Sequence, residues 1–230
     1  MPGLPQSDSL PERVYDLLHA HWGPQDWWPA ESTIEMIIGA VLTQNTAWRN
    51  VEKAIEGLRA ADLLDGSALL SAPEPSVKQV IRPAGFHNVK YRRLMAVMRH
   101  LADRSFDWTW WQEASLSEVR ASLLKVHGLG PETADCILLY AFSRPAFVVD
   151  AYTRRLFGRL GCAWSSDPYE DVAAYLARDL PVDTTLYGQY HALIVTHCKA
   201  VCKKVPICQG CVLNLLCTRP VERNLPPRST

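Results

Sequence analysis

The chain lacks any apolar run of about 18 residues, the length a helix needs to cross a bilayer, so no membrane contact is expected of its 230 residues. It also lacks net charge, because 24 Lys and Arg balance 24 Asp and Glu. Bulk charge therefore argues neither for nor against a polyanionic partner, and any nucleic-acid face must come from local asymmetry. The opening MPGLPQSDSLPERV has no apolar segment behind a basic start. No secretory signal is expected, and the protein is placed in the cytoplasm, with the nucleoid in a prokaryote. There is no convincing alternation of polar and apolar residues, no internal repeat and no low-complexity block. P-loop, dinucleotide fingerprint and Ser/His/Asp logic are missing as well. The expected fold class is all-α.

What is present suffices for a sizeable core in one or two domains, at 48% hydrophobic composition. Ser9-Leu10-Pro11-Glu12 has the capping-box spacing and opens a helix through Val14, Leu17 and Leu18. Ile34, Ile37, Ile38, Val41 and Leu42 form an apolar stripe that predicts a helix buried on one side. Val51, Ile55 and Leu58 continue with another; short helices are expected around 67–72 and 76–83, and one carries Leu94, Val97, Met98 and Leu101. A polar, Trp-rich connection spans 105–114. Later come a helix through Leu156 and Leu160, a cap at Asp167 with Pro168 in the first turn, and a long helix over roughly 184–198. Basic residues cluster twice, as Lys90, Arg92, Arg93 and Arg99, and as Lys199, Lys203, Lys204, Arg219, Arg223 and Arg228 against the single acid Glu222. For any one of these charges a solvated helix face is the simpler reading.

The chain is organised around LLKVHGLGPETADCILLYAFSRPAFVVD, residues 123–150. Gly128-Leu129-Gly130 reads as a tight turn whose glycines allow positive φ and close backbone approach. Pro131 can begin a helix without losing a needed N–H, and Ala134, Ile137, Leu138 and Ala141 form its buried face. The start of such a helix is a place for a phosphate to dock. For the bare tripeptide an ordinary αα-hairpin turn is the better reading. The run Phe147-Val148-Val149 then delivers Asp150 to the start of a further helix, where Asp is a common N-cap.

Seven cysteines without a secretory signal point to a reducing compartment, where clustered thiols mean metal more often than disulfides. Cys202-x5-Cys208-x2-Cys211-x5-Cys217 packs four into a short loop. Four sulfurs can surround one iron–sulfur cluster without long loop closure. A zinc site is the alternative, although only Cys208 and Cys211 have knuckle spacing. Cys136 and Cys162 are read as core residues.

Taken in order, LKVHGLGPETA, FVVDAYTRR and the cysteine loop resemble the helix-hairpin-helix, the trailing catalytic Asp and the [4Fe–4S] loop of the endonuclease III superfamily of DNA glycosylases. WWPAE, LTQNTAW, GLGPETAD and VVDAY are similar to its 3-methyladenine DNA glycosylase branch. The resemblance covers nearly the whole chain. It implies a six-helix barrel at 28–144 containing the hairpin, and a discontinuous iron–sulfur domain formed by 1–27 and 145–230 that carries the catalytic Asp. It further implies a monomer that acts on double-stranded DNA with a damaged base.

By the same resemblance, Asp150 stabilises the oxocarbenium-like sugar and helps position the attacking group. Trp27, Trp28, Pro29 and Trp48 line the base pocket, with core packing as the other reading of each tryptophan. Gln44, beside Asn45 and before an N-cap expected at Thr46, is the wedge that fills the gap left by a flipped nucleotide; a surface Gln capping its own turn is the alternative. Phe86, His87, Asn88 and Lys90 belong to the loop that probes the opposite strand, or to a plain loop. His127, Gly128, Leu129, Gly130 and Thr133 meet the phosphate backbone at the hairpin, as do Lys203 and Lys204 beside the cluster. Cys202, Cys208, Cys211 and Cys217 hold the cluster, with Cys198 as a substitute for Cys202. The first spacer is five residues where relatives commonly have six.

Glu132 is the departure that carries most information. Relatives that also cut the strand place a lysine here, which attacks the sugar to form a Schiff base. A carboxylate cannot do so, since a Schiff base needs an amine. The expected activity is therefore a monofunctional glycosylase that uses water on alkylated purines such as 3-methyladenine, whose positive charge already weakens the glycosidic bond. An oxidised-pyrimidine or mismatch glycosylase with little or no lyase activity, a non-catalytic DNA-binding protein and a zinc-stabilised binding module are the alternatives. Glu132 is also a candidate partner that raises the pKa of Asp150, or simply a solvent-facing residue.

Overall fold

Residues 9–25, 27, 28, 30–162 and 167–218 are described by the computed structural model, and among them every regular element is helical. Pro29 and the basic residues Arg219, Arg223 and Arg228 lie outside the described residues. In chain order the helices are α1 (Leu10–Trp22), α2 (Thr33–Leu42), α3 (Trp48–Ala60), α4 (Gly66–Ser71), α5 (Glu74–Val80) and α6 (His87–Ala102). They continue with α7 (Thr109–Glu113), α8 (Leu116–Leu124), α9 (Pro131–Ala141), α10 (Ala151–Arg159), α11 (Tyr169–Ala177) and α12 (Thr184–Ala200). A 3₁₀ turn at Arg82–Ala84 precedes α6. The chain falls into two units, 28–148 and 1–27 with 149–230. Residues 145–148 stay with the first, where Ala146 joins the core.

In the 28–148 unit, α2 is the central element. Its stripe predicts burial on one side, yet every residue from Ile34 to Leu42 is buried, because α3, α6 and α9 all pack against it. Each such Ile or Leu contributes about 1.5–3 kcal/mol relative to exposure. Glu35 is carried inward too, and the Arg59 guanidinium meets its carboxylate with bonds of 2.9 and 3.0 Å. The loop after α2 delays the next helix: Asn45 is left-handed at φ 54° and Ala47, not Thr46, is the N-cap of α3. The Trp-rich connection is no polar linker. It contains α7, and Trp111 is fully buried with its ring stacked 5.1 Å from Phe142. Arg144 donates to the carbonyls of Trp111, Gln112 and Ala114, closing the end of that helix.

Lys90 is the clearest correction. The sequence places it with residues that meet DNA, but it is only 1% exposed. Its ammonium donates to the carbonyls of Leu42 at 2.8 Å and Ala84 at 2.7 Å, tying the end of α2 to the 3₁₀ turn. The apolar stem lies in the core while the charged head satisfies two chain ends that the helices leave open. Burial, reinforced by Arg93, pushes its pKa down to about 8. Lys90→Met is expected to cost about 1–3 kcal/mol for each buried carbonyl it orphans, measured as a fall in the urea midpoint.

In the other unit, α12 packs against both α1 and α10. Ser9 caps α1 and Asp183 caps α12, each accepting from a backbone N–H of the first turn. Tyr190 is fully buried and donates to the Pro11 carbonyl at 2.6 Å. The N-cap of α11 is Pro168, which has no side chain for the role, rather than Asp167.

Candidate active site and cysteine loop

The hairpin is built by α8 and α9. Ser115 and Glu118 form a reciprocal capping box that starts α8. The turn then needs one glycine for its backbone: Gly128 has φ +89° and lies under Arg93, so a side chain there would be strained and would collide. Gly130 is extended at φ −93° and serves instead by leaving open space above it. Pro131 begins α9, with no side-chain cap on the helix start. First-turn N–H groups lack intrahelical acceptors and sit at the positive end of the dipole, which suits a phosphate. His127 is exposed beside this turn, while Leu129 and Thr133 are buried.

Gln44 does not cap its own turn. Its amide donates to the Gly128 carbonyl at 3.2 Å and to Thr133 Oγ1 at 3.0 Å, and its oxygen accepts from Arg93. The loop after α2 is thus latched to the hairpin, and the Thr133 hydroxyl faces inward. Asn45 is exposed next to it. Phe86, the N-cap of α6, is 70% exposed and left-handed at φ 46°, with Asn88 exposed beyond it and His87 half-buried. A large aromatic in that backbone region carries strain.

The paired tryptophans part company. Trp28, itself at φ 64°, meets Trp48 edge-on at 5.1 Å and Tyr140 at 5.4 Å. Its buried indole N–H has no acceptor among the described residues and lies against Gly39. Trp27 belongs to the other unit, edge-on to His191 at 6.2 Å, with the Lys199 ammonium 5.3 Å from its ring. Both indoles are partly buried.

Asp150 is an N-cap, as its position predicts. Oδ1 accepts from the Thr153 N–H at 2.7 Å and from Thr153 Oγ1 at 2.9 Å, which starts α10. Oδ2 faces His191 Nε2 at 3.6 Å. Burial is the largest single influence and pushes the carboxyl up, but the nearby imidazole of His191 together with the two bonds from Thr153 outweighs it. The net shift is below the ordinary carboxylate value, so Asp150 is held ionised. Glu132 sits exposed in the first turn of α9.

Cys202, Cys208, Cys211 and Cys217 line one small cavity, walled by Leu156, Leu160, Val201 and Leu213. Among the described residues no three Cys, His, Asp or Glu side chains draw together as a single-ion site. Arg159 organises the loop: its guanidinium donates to Cys202 Sγ at 3.1 Å and to the carbonyls of Lys203 and Lys204 at 2.6 and 2.9 Å. Both lysine side chains are exposed. The Cys198 thiol and then Arg159 pull the Cys202 pKa down to about 6, against burial, whereas burial pushes Cys211 up. Cys198 lies outside the cavity lining and is pushed up, first by its bond to Cys202.

Residues 38–181 match the HhH-GPD superfamily of base excision DNA repair proteins. The chain belongs to that superfamily. A candidate DNA repair glycosylase of Methanocaldococcus jannaschii is 42% identical over 207 residues, which are 89% of this chain and 94% of that protein. Endonuclease III of Thermotoga maritima is 28% identical over 183 residues, 79% of this chain and 81% of its own length. Among solved structures, the H. pylori 3-methyladenine DNA glycosylase bound to 1,N6-ethenoadenine superposes with a TM-score of 0.72 at 25% identity, covering 82% of this chain and 97% of that one. Endonuclease III in a non-covalent DNA complex gives 0.75 at 24%, covering 90% and 93%. The protein is a base excision repair DNA glycosylase with the all-helical fold of endonuclease III.

Within this HhH-GPD frame, several residues beside the motifs were not singled out by the sequence. His191 lies mid-helix in α12 and carries no motif. Tyr140 falls outside the apolar stripe of α9. Arg93 was one of several basic residues, and nothing in its spacing marked it as the partner of Gln44 and the cover of Gly128. Arg159 follows the VVDAYTRR segment by one helical turn, and that spacing is its one signal in the sequence.

Proposed function

We propose that this glycosylase is monofunctional and removes alkylated purines such as 3-methyladenine from double-stranded DNA. The observation that carries the reading is Glu132 in the first turn of α9, where strand-cutting relatives have an amine, together with an Asp150 held ionised. The bond between C1′ and the base breaks first. Its electron pair goes to the cationic base, which leaves neutral and needs no proton donor. The Asp150 carboxylate stabilises the positive charge that develops on the sugar, as carboxylates do in other glycosyl hydrolyses. Water then forms the new bond at C1′ and gives up a proton to bulk solvent. Trp28, Trp48 and Tyr140 offer aromatic faces for a flat cation, and the H. pylori relative with a bound ethenoadenine supports a purine.

In this reading the hairpin start, with Gly130 open above it, takes a backbone phosphate, and Gln44 acts as the wedge once released from Arg93 and the turn. The four cysteines of the cavity hold a [4Fe–4S] cluster, with Cys202 rather than Cys198 as first ligand because Cys202 lines the cavity. The cluster supplies a fixed scaffold for its loop. Arg159 sets the carbonyls that flank it, and this presents Lys203 and Lys204 outward.

The test is release of free methylated bases from alkylated duplex DNA, with strand breaks scored before and after alkali. Breaks only after alkali are expected. Borohydride added during turnover is expected to trap no covalent protein–DNA adduct, since no lysine occupies position 132. Trapped adduct would overturn the monofunctional reading. Release of oxidised pyrimidines instead would favour the endonuclease III relatives as the guide to substrate.

A further inference from the structure

Asp150 differs from the other carboxylate caps of this chain. Asp65 and Asp183 start α4 and α12 from exposed positions, each accepting one backbone N–H. Asp150 is capped in the same way through Oδ1, but its side chain is only 13% exposed, and its second oxygen faces an imidazole from another helix. That imidazole, His191, is 6% exposed at the side chain and sits mid-way along α12, which packs against α10. The indole of Trp27 stands edge-on to its ring at 6.2 Å. Anchoring by Thr153 alone fixes one oxygen and leaves the carboxylate free to turn about it. The imidazole Nε2 lies 3.6 Å from the other oxygen, within ion-pair reach rather than hydrogen-bond length, and this contact restrains the plane.

We propose that His191 is a positioning residue, which holds the Asp150 carboxylate in one orientation from α12 while positive charge develops on the sugar. The inference rests on the role of Asp150 given above. His191 does not itself reach the reacting atoms; it acts through Asp150. Among the described residues, the titratable groups that act on or feel the carboxylate are His191 and Cys198, both on α12. Thr153 and Trp27 bring none. Removing the imidazole therefore removes a group that favours the ionised form, and the carboxyl takes up a proton more readily.

The experiment compares His191→Leu, His191→Gln and His191→Asn in single-turnover base release from alkylated duplex DNA. DNA affinity and thermal melting are measured in parallel. His191→Leu is expected to slow cleavage about 10- to 100-fold, the range for outer partners that orient a functional group, with DNA affinity within about twofold of the parent. Its acid limb should move to higher pH. Gln, whose amide reaches the position of Nε2, is expected to restore both rate and profile in large part, and the shorter Asn is not. A parent-like rate and pH profile in Leu or Asn overturns the proposal. If Leu does not fold, the Gln and Asn pair decides, since a structural role alone predicts equal rates for two folded amides. An active Asp150→Asn would sink the underlying assignment instead, so the two failures are distinguishable.

Discussion

Asp150→Asn is expected to lower base release by about 10²- to 10⁴-fold, the loss typical when a single essential catalytic group is removed, while leaving the fold in place. Asn caps helices as well as Asp does. The amide oxygen can accept from Thr153 N and Oγ1 as Oδ1 now does. What disappears is the negative charge, so the substitution separates the capping role from the chemical one. Protein that melts like the parent but releases no base assigns the chemistry to the charge. Full activity in a folded Asn variant would mean that Asp150 is an N-cap and nothing more. A pH signature accompanies it. The native pKa of Asp150 is depressed, so its stabilising contribution is complete above the unfolded value near 3.9. That contribution fades as pH falls through the lower native value. The Asn variant should lack this part of the acid sensitivity in denaturation measured between neutral pH and pH 2.

Much of the fold was legible because an apolar stripe at helical spacing reports which face is buried. The stripes of α3 and α6 did so directly, and that of α9 did so except at Ala141, which is half-buried. A stripe sets only a lower bound on burial, however. The remaining positions of α2, Met36, Gly39 and Ala40 among them, are small or apolar enough to be enclosed as well, and three packed helices enclose them. Trp111 was misleading for the opposite reason: polar Ser105, Asp107, Thr109, Gln112 and Glu113 break up its aromatic neighbours, so no helical stripe forms, and a five-residue helix is too short to show one. Loop geometry was the least legible. The left-handed residues Asn45 and Phe86 moved or set the helix starts that follow them, and such backbone states are chosen by packing more than by residue type.

The candidate site divides along the same line. Asp150, the glycine turn and the cysteine loop are local in sequence, and each was marked by its own segment. The partners that tune them come from other helices. His191 reaches Asp150 across 41 positions of chain, and Arg93 reaches Gln44 across 49. Lys90 stood in a basic cluster, and no pattern of charge along the chain separates a lysine that meets phosphate from one that caps buried carbonyls. Only the burial of its head does.

Cys211→Ser is expected to have the second large effect, loss of iron, acid-labile sulfide and brown colour, with a protein that unfolds well before the parent. Structural metal centres in small modules contribute on the order of 10 kcal/mol, and little else holds this loop. Among its exposed residues are Val205, Ile207 and Leu215, at 83, 52 and 97%, and α12 has ended before it begins. Arg159 brackets it from α10 through Cys202 Sγ and two carbonyls, and the Cys217 thiol donates back to the Arg159 carbonyl at 3.2 Å. Without the ligand these contacts must restrain the chain from 202 to 217 by themselves. Cys198→Ser is the control: Cys198 lies outside the cavity and donates to the Tyr152 carbonyl at 3.6 Å, so iron content should stay at the parent level. Loss of iron in Cys198→Ser with retention in Cys202→Ser would exchange the two in the ligand set. A colourless parent that binds zinc would replace the cluster with a single ion, and the four thiols would then have to close the cavity around it.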